Sequence, residues 1–333
     1  MQNLKKFPLT LLVGIVISSM AQAFTPDPAL VEHIPEGVTP DERQREWVNE
    51  LASETIYVGV GYDQKGHIKN LFVSHHHFNA KDHPEEEMLK KRAGVTEETF
   101  LLTQHLPALK RLRILKQPLS DDAVIAVLEK QRDLLMFGIE NHKGDDTGRF
   151  MEAIAGMDSL EWLELKHLFQ LNGTAVDKIG HLPSLVRLEL DNASAHEEAL
   201  VFLKENPQIL DFELHRSNLT NAQIGEVVKA LPKVQRFAIK PNRNAFDAAA
   251  MEHVAKLEEI QVLALWSFSN DALFWEDGIS HLVDISTLKR IELNGGKQNH
   301  PALKRLKQER PEMEIGPGKS IMIEFDDSWM GHT

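Results

Sequence analysis

Cysteine is absent from all 333 residues. Its absence excludes a disulfide framework, a thiolate nucleophile and a cysteine-ligated metal centre. Positive charge is scarce too: 37 lysines and arginines stand against 50 acids, a formal charge of −13. That balance argues against nucleic acid and against anionic membrane surfaces as partners. Beyond the N-terminus no segment is long and apolar enough to cross a bilayer. Catalytic signatures are missing as well, with no G-x-S-x-G elbow and no H-E-x-x-H helix. His196-Glu197-Glu198 lacks its second histidine, because Leu200 stands four residues on. Gly316-Pro317-Gly318-Lys319-Ser320 looks like the end of a phosphate loop, but Met313 occupies the position of the first glycine. These absences lead to the expectation of a chain with no enzymatic activity and no cofactor.

What is present begins with an export signal. Lys5 and Lys6 precede an apolar run from Leu9 to Ile17, and Ala21-Gln22-Ala23 supplies the small residues a signal peptidase reads. Cleavage is expected after Ala23, leaving residues 1–23 as a signal peptide. An exported chain without cysteine points to a bacterial periplasmic or secreted protein. The full sequence is 42% apolar and 26% charged, ordinary for a folded protein.

Residues 24–66 read as a cap. A proline-dotted stretch leads to Thr39-Pro40-Asp41-Glu42, a helix start with Thr39 as the capping hydroxyl, and the helix should run to about Ala52. A strand over 55–62, a turn at Asp63-Gln64-Lys65-Gly66 and a second strand over 68–73 follow. From there the spacing L-x-x-L-x-x-L-x-L recurs, clearest at Leu182, Leu185, Leu188 and Leu190. The last apolar residue of each frame falls at Val73, Ile114, Ile139, Leu165, Leu190, Leu214, Ile239, Leu265, Leu293 and Ile315. Most intervals are about 25 residues, so internal repetition is the primary signal. The first interval holds an insertion at about 75–100, and 316–333 read as a C-terminal cap and tail.

Each unit has a short strand with period-two alternation and then a helical half, as in Ile224, Val227, Val228 and Leu231 behind the capping Thr220. One strand and one helix cannot bury their faces alone, so neighbours must stack. Over 67–315 this pattern resembles the leucine-rich-repeat family, best in Pro118 to Ile125 and Ser217 to Ile224. Its asparagine ladder is missing: the ladder positions read Gln117, His142, Leu168, Ala193, Ser217, Asn242 and Phe268. The resemblance implies an α/β solenoid with a parallel sheet on the concave side and helices on the convex side, used for binding rather than chemistry.

Strand alternation then assigns the concave face. Its central column should place Glu164, Glu189 and Glu213 on neighbouring strands about 4.8 Å apart. Arg187 and Arg236 flank them on one side, and Lys166, His215 and Lys240 on the other. Like charges so close need a cation. The column reads either as a solvated surface with local salt bridges or as a stripe for a protein or peptide partner, possibly basic. Trp162 and Trp266 are expected on the same face, as interface anchors or packed under a long neighbouring side chain. A competing reading is metal binding by the histidine-rich loop, with His75, His76, His77 and His83 as ligands. Its spacing matches no metal signature, and a hydrated loop is the plainer account. Sugar stacking on Trp162 or Trp266 is a third reading without further support.

Overall fold

The computed structural model of the chain describes residues 30–75, 94–142, 147–168, 175–191, 197–217, 219–241, 247–265, 277–293 and 299–317. Among them twelve strands form one sheet in strict chain order. The first three strands are β1 (Leu30–His33), β2 (Tyr57–Tyr62) and β3 (Ile68–Ser74). The repeats supply β4 (Arg111–Leu115), β5 (Met136–Glu140), β6 (Trp162–Lys166), β7 (Arg187–Asp191) and β8 (Asp211–Ser217). Then come β9 (Arg236–Pro241), β10 (Val262–Leu265), β11 (Arg290–Leu293) and β12 (Glu314–Pro317). Every neighbouring pair is parallel except the β2–β3 hairpin. The architecture is an α/β solenoid of the leucine-rich-repeat type.

The cap differs in detail from expectation. Helix α1 (Glu42–Glu54) is capped by Asp41, whose carboxylate accepts from Gln44 N at 3.0 Å, rather than by Thr39. The hairpin turn packs directly against the Thr39 backbone. Gly66 has φ +81°, and a Cβ there would fall 2.1 Å from the Thr39 carbonyl oxygen, so only glycine fits. The proline-dotted stretch contributes β1, which pairs with β2 and forms the first edge of the sheet.

Helices α2 (Glu97–Leu101), α3 (Asp121–Lys130), α4 (Thr147–Ile154), α5 (Glu197–Glu205), α6 (Asn221–Ala230), α7 (Ala248–Val254) and α8 (Pro301–Glu309) cover the opposite face. Thr220 and Gln223 close a reciprocal capping box on α6, and Ser120 caps α3. Between β6 and β7 the described residues hold only a 3-10 turn, Val176–Ile179, where a full helical half was expected. Gly180, at φ +67°, ends it. No helix among the described residues is long and apolar enough to cross a membrane.

The core lies between strands and helices. Leu112, Phe137, Leu163, Leu188, Phe212, Phe237, Leu263 and Ile291 all point inward and are buried. Burying each such side chain contributes about 1.5–3 kcal/mol. At the strand exits Lys116, Asn141 and His167 all take positive φ, so three successive repeats leave the sheet through the same turn. The ladder position after it holds Gln117, His142 and the apolar Leu168, so two of the three are filled by other polar groups. Gln117 donates to Leu115 O and to Thr55 Oγ1, and accepts from Val95 N. His142 Nε2 lies 2.6 Å from Asp121 Oδ1 at the start of α3. These groups satisfy backbone and helix-end polarity where asparagine was missing.

The repeat frame holds from Val73 through Leu293, residue against residue. It slips at the last unit. Ile315 stands opposite Ile291, and Pro317, not Ile315, stands opposite Leu293. Two apolar residues fit the same inward column, and only the ladder hydrogen bonds choose between them.

Candidate functional site on the concave sheet

The register brings Glu164, Glu189 and Glu213 side by side on β6, β7 and β8. At the last unit the slip sets Glu314 opposite Arg290 and leaves Gly316 beside Glu292. The carboxylates are not a solvated stripe. Glu164 is 1% exposed and Glu189 and Glu213 are 0% exposed. Long side chains from the flanking columns lie over them, so a partner arriving on this face meets those side chains first.

Charge compensation runs along and across the strands. Lys166 Nζ lies 2.7 Å from Glu164 and 2.5 Å from Glu189, bridging the two. Arg113, on β4, reaches Glu164 on β6 at 2.5 Å, crossing the whole of β5. It can do so because the crossing point is Gly138. A Cβ there would sit 3.1 Å from Arg113 Cγ and 3.1 Å from Glu164 Oε2. At the other end Arg236 contacts Asp211 at 3.0 Å and Glu213 at 3.1 Å, and extends to Glu292 on β11 at 3.7 Å. That reach passes the small Ala264 on β10. His215 Nε2 packs against Glu213 Oε1 and lies 3.6 Å from Glu189 Oε1.

The electrostatics separate three chemically identical groups. Burial alone would raise the pKa of Glu164, but the charges of Arg113 and Lys166 outweigh it and hold the carboxyl at about 2. Burial pushes Glu189 up to about 8; Lys166 opposes this, while Glu213 and Glu164 add to it. Glu213 is raised as well, chiefly by burial, although Arg236 opposes. The difference lies in donors. Glu164 is contacted by both Arg113 and Lys166, whereas Glu189 has the Lys166 it shares with Glu164 and, at 3.6 Å, His215.

Trp162 is half-buried at the start of β6. The Arg187 guanidinium lies over its ring, 4.0 Å from the centroid. Of the two expectations for this tryptophan, packing under a long neighbour is what the structure holds. Phe72, Leu115 and Tyr57 complete an aromatic and aliphatic patch around it. The column at the strand starts runs Arg111, Met136, Trp162, Arg187, Asp211, Arg236, Val262, Arg290 and Glu314. Arg187, Arg236 and Arg290 keep 27%, 21% and 32% of their side chains exposed. Asp211 and Glu314 of the same column keep 25% and 71%, so this edge of the face offers arginines and carboxylates side by side.

Of the sequence-derived candidates, Trp162, Glu164, Arg187, Glu189, Glu213, His215 and Arg236 share this face. Trp266 lies outside the described residues, as do His76, His77 and His83. His75 ends the segment after β3, with its pKa lowered by burial. Sequence reasoning passed over the roles of Arg113, Gly138 and Asp211. The column order alone contained a clue, since an arginine two strands from a glutamate with glycine between them has a clear path.

No family model matches the chain, and no curated protein matches it. Among solved structures 31 chains match. One of them, the crystal structure of a TLR13–ssRNA13 complex, aligns over 68% of this chain and 42% of that one, at 12% identity and a TM-score of 0.34. The chain thus spans less than half the length of that protein. Likeness at that level adds nothing to what the strand order already shows.

Proposed function

We propose that the protein is a non-enzymatic recognition module, exported to the periplasm or beyond, whose concave sheet binds a protein or peptide segment. The carrying observation is the row of partly exposed arginines, Arg187, Arg236 and Arg290, each held by ion pairs to neighbouring carboxylates. Such groups are pre-organised by their ion pairs, so little side-chain entropy remains to be lost on binding. Trp162 under Arg187 supplies an apolar floor. The complementary partner is an extended segment carrying carboxylates beside an aromatic or aliphatic side chain, rather than the basic partner that an exposed acidic stripe implied.

Peptide display against the immobilised chain tests this reading. Enrichment of acidic segments with a large apolar residue is expected, and it should be lost on Arg187→Glu/Arg290→Glu at unchanged circular dichroism. Failure to enrich any sequence class, or enrichment indifferent to both charge reversals, would refute it. Intact mass of the exported product tests the signal, with loss of residues 1–23 expected.

A further inference from the structure

Glu189, Glu213 and His215 bring three metal-ligating side chains together, with one ligand atom from each lying within 4.8 Å of the others. Two of them are fully buried carboxylates on adjacent, in-register strands. The third is an imidazole two residues beyond Glu213 on the same face, with 12% of its side chain exposed. The two carboxyl groups lie within hydrogen-bond reach of each other. Both Glu189 oxygens lack any hydrogen bond, and Lys166 stands on Oε1 alone, leaving Oε2 open. The Glu189 Oε2 acceptor, buried without a hydrogen-bond donor, calls for a proton or a metal cation beside it.

We propose that these three residues form a site for one divalent cation of the zinc class. Imidazole and carboxylate together suit zinc, cobalt and their neighbours. Calcium and magnesium take all-oxygen sets and do not use imidazole. In a tetrahedral site ligand atoms stand about 3.5 Å apart, so small rotamer shifts bring these three to bonding distance and leave one open position. The shell around them is already built. Lys166 orients Glu189, and Arg236 orients Glu213 from its other oxygen at 3.1 Å. These two cations also hold the affinity below that of an uncompensated acidic site. The partly exposed His215 ring marks the way in from solvent. The site uses none of the residues of the histidine-rich loop.

The test is calorimetric titration of the full chain with zinc chloride, with cobalt(II) as an optical probe. A background carrying His75→Ala, His76→Ala, His77→Ala and His83→Ala removes the loop. Binding of one ion should survive in that background. It should weaken by about tenfold or more in His215→Gln and in Glu189→Gln. Cobalt ligand-field bands should form and then vanish in His215→Gln. No binding in the loop-free background, or binding unchanged by both substitutions, overturns the proposal and leaves a shared proton or an adventitious surface ion. If Glu189→Gln does not fold, the His215→Gln variant, altered at a partly exposed ring, decides alone.

Discussion

The two faces of this sheet are made by the same strands in the same register, yet they are specified in different ways. Toward the helices stand Leu112, Phe137, Leu163, Leu188, Phe212 and Phe237, which differ in shape and are all buried. On the concave side the neighbouring residues are Arg113, Gly138, Glu164, Glu189, Glu213 and Ala238. The inward column tolerates any apolar residue of suitable size, because dispersion and burial are not directional. The concave column tolerates little exchange, because each charge needs a particular partner within about 3 Å. A fold can therefore be shared widely through its inner face while each chain keeps its own outer one.

Truncation on the inner face should give the largest effect. Leu188→Ala removes a fully buried side chain flanked by Leu163 and Phe212. It should cost about 3–5 kcal/mol in urea unfolding. On the outer face Lys166→Met should cost about 3 kcal/mol, because it leaves Glu164 and Glu189 facing each other without their shared cation. Adding Glu189→Gln should recover part of the loss, and full additivity would show that the bridge is not coupled. Gly138→Val should cost about 1–3 kcal/mol by obstructing the Arg113 crossing. Paired with Glu164→Gln, its effect should shrink, and an unchanged cost would mean that the glycine serves backbone packing instead.

The smallest effect is one of slope. Glu164 is held at about 2 against an ordinary 4.5. An acid with a depressed native pKa stabilises the fold above its unfolded pKa, and that contribution fades as pH falls from about 4.5 toward 2. Unfolding free energy measured across that window should fall more steeply in the wild type than in Glu164→Gln. Equal slopes would show that Arg113 and Lys166 do not hold Glu164 ionised.

Much of this was legible beforehand. The frame at Leu182, Leu185, Leu188 and Leu190 indicated a stacked strand-and-helix unit, and alternation placed Glu164, Glu189 and Glu213 in one row. Three things were not legible. Ile315 and Pro317 compete for one ladder position, and hydropathy cannot tell a slip of two residues from correct register. The burial of the three carboxylates depends on side chains crossing from other strands, which alternation within one strand does not report. Gln117 and His142 perform the ladder's work with different chemistry, so a search for asparagine finds nothing.

By itself the sequence determined the repeat, its period, the strand-and-helix division of most units and the face each strand residue occupies. All of these follow from local periodicity, and local periodicity is a property of neighbours along the chain. The tertiary structure alone decided that Arg113 meets Glu164, that Lys166 stands between two glutamates, and that Glu189 Oε2 is left without a hydrogen-bond donor. Those outcomes depend on distances between residues about 25 to 50 positions apart, set by the stacking of whole repeats.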